Sequence, residues 1–216
     1  GKFEVKRFIG WDAATNTFYF ESNEESPLRT AVYKTDKKGG RIKLSEKAGN
    51  NSAIFSSNLK YFMNTYSSLQ TPTVITLNDN TGKVLKTLVT NQKLKETLAQ
   101  YQLPKKEFFT FRTSQGTELN GWMIKPADFN ESKKYPVLLY QYSGPGSQEV
   151  VDKWGIGGDR GGIGWDAYMA SKGYLIVCVD GRGTGGRGAE FAKCTYLNLG
   201  VKEAQDQVET AKHMAA

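Results

Sequence analysis

Two stretches decide the fold of this 216-residue chain: Tyr135-Pro-Val-Leu-Leu-Tyr-Gln-Tyr-Ser-Gly-Pro-Gly (135–146) and Tyr174-Leu-Ile-Val-Cys-Val-Asp-Gly-Arg-Gly-Thr-Gly-Gly-Arg-Gly (174–188). Each is a short apolar run that ends in a glycine-rich loop. The continuous run Tyr174–Val179 is how a strand buried on both faces reads, because neither face alternates with water. Residues 163–172, between them, read as a helix stopped by Gly173. Leu199–Met214 reads as a second helix, with Val201, Ala204, Val208 and Ala211 on one face. Strand, helix, strand, helix is the order of an α/β sheet. Ahead of it, Glu107–Thr113 and Glu118–Lys125 read as a hairpin around Ser114-Gln-Gly116.

Outward from there, towards the N-terminus, the texture changes. Residues 1–90 read as short strands: Phe3–Ile9, Thr17–Glu21, Thr30–Thr35, Arg41–Leu44, Ala53–Phe55, Leu59–Asn64, Thr73–Leu77 and Val84–Leu88. The turn residues a hairpin needs stand between them, at Asp12-Ala-Ala-Thr-Asn16, Lys38-Gly-Gly40, Gly49-Asn-Asn51 and Asn80-Thr-Gly82. Phe18-Tyr-Phe20 and Tyr61-Phe-Met63 recur at an offset of 43 residues. Four-stranded propeller blades repeat at about that length, and so does a plain antiparallel meander. Residues 91–101 read as one helix, with Leu94, Leu98 and Tyr101 in line, and Pro104 stops it. The expected division is therefore 1–103, all-β with a linker helix, and 104–216, α/β.

Composition excludes several classes. Aromatic residues are 12% and charged residues 24%, too ordered a mix for a disordered chain. No run approaches the ~18 apolar residues of a membrane helix, and no export leader opens the sequence. The net charge is +7, and residues 1–106 carry 17 Lys/Arg against 9 Asp/Glu, while 107–216 carry 12 against 13. The surplus is scattered, with only isolated lysine doublets, so no nucleic-acid face is expected. One histidine, His213, and two cysteines, Cys178 and Cys194, leave too few ligands for structural zinc. The cysteines form either one disulfide or two free thiols.

Sites in open α/β sheets lie at the carboxyl ends of strands, which directs attention to loops 142–146 and 181–188. Gly181, Gly183 and Gly186 fit G-x-G-x-x-G. No helix opens at the last glycine, however, and the acids about 20 residues on, Glu203 and Asp206, fall on a helix instead of a strand, so no nucleotide cofactor is expected. Tyr142 stands at a strand-to-loop junction. Its phenol could donate to a developing oxyanion, or it could simply pack at the sheet end with a satisfied hydroxyl. Ser143 and Ser147 flank the glycines outside any G-x-S-x-G, a motif the whole chain lacks. His213 reads as a surface or helix-end residue, so no Ser-His-Asp triad assembles from these residues.

Lys133-Lys-Tyr-Pro-Val-Leu-Leu-Tyr-Gln-Tyr-Ser-Gly-Pro-Gly-Ser-Gln148 resembles the start of the hydrolase domain in the dipeptidyl peptidase IV branch of the prolyl oligopeptidase family. Val179-Asp-Gly-Arg-Gly-Thr-Gly185 and Leu199-Gly-Val-Lys-Glu-Ala-Gln-Asp-Gln207 resemble later parts of that domain, in the same order and spacing. Residues 1–90, with Glu21-Ser-Asn-Glu24, resemble the family's closing propeller blades. The resemblance implies propeller blades plus a linker helix over 1–103, and over 104–216 an α/β-hydrolase domain up to but not including the nucleophile elbow. It implies a serine exopeptidase that releases N-terminal dipeptides after a penultimate Pro or Ala through an acyl-enzyme. Tyr142 would be the oxyanion-hole donor.

The family's elbow serine, its Asp and His, and the paired glutamates that hold a substrate's amine have no counterpart among these residues, so the chain alone is expected to be inactive. Gly146 stands where mammalian-type members often carry Cys. No cofactor or metal is implied; an exported enzyme, dimeric in many relatives, is. The competing readings are an inert scaffold, or a tripeptidyl or acylaminoacyl peptidase. Tyr142 disfavours the acylaminoacyl branch, where a histidine often stands.

Overall fold

The computed structural model describes residues 2–101, 103–155 and 164–216. The chain divides into two compact units, Gly1–Glu96 with Val151–Trp154, and Thr97–Val150 with Gly155–Ala216.

The first unit is two four-stranded antiparallel meanders. One is β1 (Val5–Asp12), β2 (Thr17–Ser22), β3 (Ala31–Thr35) and β4 (Arg41–Lys43), paired in chain order. The other is β5 (Asn50–Phe55), β6 (Tyr61–Ser68), β7 (Thr71–Asp79) and β8 (Val84–Val89), likewise in order. All eight expected strands are present, with ends shifted by a few residues. The 43-residue repeat has a structural meaning: Tyr19 on β2 and Phe62 on β6 occupy equivalent second strands, and both enter one core with Val32, Leu44 and Ala53. Alternation does the sorting. Tyr19 points into this core, while its neighbour Phe18 lies exposed beside Phe8 and Trp11.

One carboxylate stitches the two meanders together. Glu21, on β2, is buried and accepts from the Ala53 amide at 2.8 Å, from Ser52 Oγ at 3.0 Å and from Arg7. A buried carboxylate is tolerable only when so satisfied. Asp152, in the returning segment, likewise pairs with Arg29 at 3.0 Å and accepts from the Leu69 amide at 2.9 Å.

α1 (Gln92–Leu98) runs across the division between Glu96 and Thr97 and buries none of its side chains. Leu94 and Tyr101, expected in line on a helix face, are exposed. Next come β9 (Lys106–Arg112), β10 (Glu118–Ile124), β11 (Val137–Tyr140), α2 (Gly164–Ser171), β12 (Leu175–Asp180), α3 (Ala189–Lys193) and α4 (Val201–Ala215). Ile163, the first residue of the helix expected over 163–172, lies outside the described residues. The sheet order is β11-β12-β10-β9. β11 and β12 are parallel, whereas β12 pairs antiparallel with β10, and β10 with β9. β12 is buried over Ile176–Asp180, as a central strand should be, whereas β11 lies at the sheet edge with Val137 and Leu139 partly exposed. The core is Phe111, Leu119, Val177 and Val179, capped by Phe191 and Met214.

Two features depart from the sequence reading. α3 was not foreseen. α4 turns a polar face inward: Glu203, Asp206 and Thr210 are buried, while Val201 and Val208 of the apolar stripe are about half exposed. The reason is a partner rich in donors. Arg182, in the glycine loop, meets Asp206 across the helix, and this charge-assisted contact outranks apolar periodicity. Both cysteines are free thiols.

Candidate active site

Tyr142 stands two residues beyond the end of β11. The Tyr140–Cys178 pairing fixes the strand end two residues before it. The ring of Tyr142 is 59% exposed, so it is not packed into the sheet end. The loop after it turns back on itself. Gly146 has φ +80°, a backbone region that L side chains adopt with strain. Ser147 closes the turn: its amide donates to the Gly144 carbonyl at 3.1 Å, and its hydroxyl oxygen lies 2.7 Å from the same carbonyl oxygen and 3.4 Å from that of Tyr142. Ser147 is thus a backbone tie in this structure, and Ser143 is half-buried and accepts from the Gln141 side-chain amide.

The second glycine loop lies against the first. The Gly185 amide donates to the Ser147 carbonyl at 2.7 Å. Gly186 has φ +89°, which L side chains rarely adopt, and the Gln148 side-chain nitrogen lies 2.5 Å from where its Cβ would be. At the base, the Asp180 carboxylate accepts from the Glu149 amide (3.0 and 3.2 Å) and the Val150 amide (2.8 Å). The wholly buried Trp122 donates its indole N–H to the Glu149 carbonyl at 3.1 Å. The Lys106 ammonium sits 3.9 Å from the centre of the Trp122 ring and 3.4 Å from Asp166.

On its other side the same loop is tied to α4. Asp206, fully buried, accepts from the Arg182 guanidinium at 2.7 and 3.0 Å and from the Arg182 amide at 2.6 Å. This contact holds the guanidinium above its ordinary pKa. Glu203 reaches back to cap the Gly200 amide at 2.9 Å. These bonds explain why the G-x-G-x-x-G match is not a phosphate cradle. Such a cradle needs free amides, and here the amides of residues 182–185 donate to Asp206, Phe191, Gly181 and Ser147.

An open apolar concavity of about 550 Å³ borders the first loop through Pro145, with Ala192, Tyr196, Leu197 and Leu199 on its walls. His213 is exposed on α4 and stacks on Phe111 with ring centres 4.5 Å apart. It lies outside the loops. Burial pushes the Cys178 thiol far up, with Asp180 and Glu149 adding to the shift. That thiol is inert as a nucleophile. Among the described residues no cluster of His, Cys, Asp and Glu could hold a metal, and no helix is long and apolar enough to cross a membrane.

Sequence reasoning placed Tyr142 and both loops at one sheet edge. It named Ser147 and Asp206 without their ties, and it missed the role of Asp180 and the Arg182–Asp206 pairing. Asp180 carried one available signal: an acid at the last position of a buried apolar strand must have partners.

Comparison with known proteins names the family. Residues 1–73 match the model of the dipeptidyl peptidase IV N-terminal region, and residues 163–216 match that of the prolyl oligopeptidase family. A curated relative, "Probable dipeptidyl-aminopeptidase B" of Trichophyton verrucosum, is 35% identical over 98% of this chain and 24% of its own length. "Dipeptidyl peptidase 4" of Trichophyton rubrum is 34% identical over 99% of this chain and 28% of its own. The crystal structure of Porphyromonas gingivalis dipeptidyl peptidase 4 superposes with a TM-score of 0.91 at 48% identity, covering 98% of this chain and 29% of that one. The chain belongs to the dipeptidyl peptidase IV branch of the prolyl oligopeptidase family of serine peptidases. It spans about a quarter of the length of the curated relatives it matches.

Proposed function

We propose that this chain is part of a serine exopeptidase releasing N-terminal dipeptides, and that Tyr142 is its oxyanion donor. In this reading the two meanders are the closing blades of a β-propeller, and the mixed sheet is the opening part of an α/β-hydrolase domain. The observation that carries it is an exposed phenol at the carboxyl end of β11, on a loop whose backbone is tied down on both sides of its glycines.

The chemistry follows from that position. A serine Oγ attacks the scissile carbonyl while a base takes its proton, and the carbonyl oxygen becomes an oxyanion. The Tyr142 O–H donates to that oxygen, most strongly in the tetrahedral state, and so lowers the barrier rather than merely binding substrate. A phenol hydroxyl carries one O–H to donate. Collapse expels the amine and leaves an acyl-enzyme, which water then hydrolyses. The nucleophile and base come from outside these residues, since no G-x-S-x-G occurs among them. The names of the relatives support release of dipeptides, and the family resemblance supports a penultimate Pro or Ala, together with export and pairing as a homodimer.

A fluorophosphonate, which labels activated serines, tests the reading. The peptidase carrying this segment is expected to gain one adduct by intact mass and to cleave a Gly-Pro chromogenic substrate, while the 216-residue chain alone gains none. An unlabelled, inactive peptidase favours the inert-scaffold reading. Efficient cleavage of only blocked or tripeptide substrates favours the other branches.

A further inference from the structure

We propose that Asp180 and Ser147 are positioning residues for Tyr142, and that loop 181–188 is a backbone clamp on the tyrosine's loop. The proposal rests on the reading of Tyr142 as the oxyanion donor.

Tyr142 hangs between two fixed points. On one side, Tyr140 is held in register with Cys178. On the other, the anchored run begins at Ser147. Gly144 and Gly146 lie between, both at positive φ, and glycines there leave the segment soft in the absence of outside restraint. An oxyanion donor needs its oxygen placed to within about 0.5 Å. The structure supplies the restraint from β12 and the loop that follows it.

Four successive residues, 147–150, are each engaged. Ser147 takes the Gly185 amide and closes on Gly144. Gln148 packs on the bare face of Gly186. Glu149 is held at both ends, by Asp180 at its amide and Trp122 at its carbonyl. Val150 donates to Asp180. The Asp180 carboxylate is 6% exposed and spends both oxygens on the backbone of these residues. An acid at the carboxyl end of a buried strand, where sites form, is here committed to holding a neighbouring loop.

The test uses the complete peptidase that carries this segment. Asp180→Asn and Ser147→Ala are made alone and in a Tyr142→Phe background, with active sites titrated by fluorophosphonate so that turnover is counted per folded molecule. Asp180→Asn is expected to lower kcat on a Gly-Pro chromogenic substrate about tenfold, and Ser147→Ala about threefold, with KM changed less than about twofold. In the Tyr142→Phe background both effects should vanish, because a residue that acts through the phenol has nothing left to place. Ser147→Thr should restore kcat.

Undiminished kcat in both single variants, or the same fold-losses on top of Tyr142→Phe, overturns the positioning role and leaves the oxyanion reading standing. A Tyr142→Phe loss below about tenfold overturns the oxyanion reading itself, and this proposal with it. Should Asp180→Asn fail to fold, Ser147→Ala decides alone.

Discussion

The two units bury charge for different purposes. In the first, apolar side chains from two meanders fill the core, and Glu21 stitches neighbouring strands to each other. In the second, the buried acids Asp180 and Asp206 hold glycine-rich loops, reaching 24 to 31 residues along the chain. The same chemistry thus serves different ends: Glu21 joins strand to strand, whereas Asp180 and Asp206 tie a strand and a helix to loops. A glycine-rich loop bends easily, and the stiffness its glycines give up returns through carboxylate-to-amide bonds.

The largest expected effect concerns the chain alone. Phe8, Trp11 and Phe18 form an exposed apolar strip on the first unit, while Tyr196, Leu197 and Leu199 do so on the second. Uncovered apolar surface and open strand edges promote association. The isolated 216-residue chain should therefore aggregate or melt without a cooperative transition. A sharp two-state melt of a monomer in calorimetry contradicts this.

In the complete peptidase, Phe62→Ala should cost about 4 kcal/mol, because it opens a cavity where both meanders meet. Arg182→Ala should cost about 3 kcal/mol by stranding the wholly buried Asp206 carboxylate. Denaturant midpoints measure both. The comparison sharpens if Arg182→Ala also lowers turnover while Phe62→Ala leaves the kcat of folded molecules intact. It breaks if Phe62→Ala lowers that kcat as much. The smallest expected effect is at Cys178: iodoacetamide at pH 8 should leave it unmodified in the folded protein, because burial raises its thiol pKa. Rapid alkylation, read by peptide mass, contradicts the burial of β12.

Legibility in the sequence followed the range of the interactions. The eight strands of the first unit were readable because turn residues and alternation are local signals; Asp79, for instance, ties its own turn by accepting from the Thr81 amide at 2.9 Å. β12 was readable from its unbroken apolar run. The inward face of α4 was not, because Asp206 is buried by Arg182, 24 residues away, and no periodicity announces such a pair. The same holds at the site. Tyr142 drew attention from its place before Ser-Gly-Pro-Gly, with its proposed role coming from the resemblance, whereas the ties of Asp180 to residues 149 and 150 arise only when β12 and the loop after β11 come together.

The measurement that tests the central claim most directly is the turnover of Tyr142→Phe in the complete peptidase, on a Gly-Pro chromogenic substrate, with active sites titrated. The phenol is exposed and its ring is retained, so the melting temperature should hold within about 2 °C. A preorganised oxyanion donor is worth roughly 3 kcal/mol of barrier, so kcat should fall about 100-fold. A fall of less than about tenfold in a fully folded variant would contradict the account.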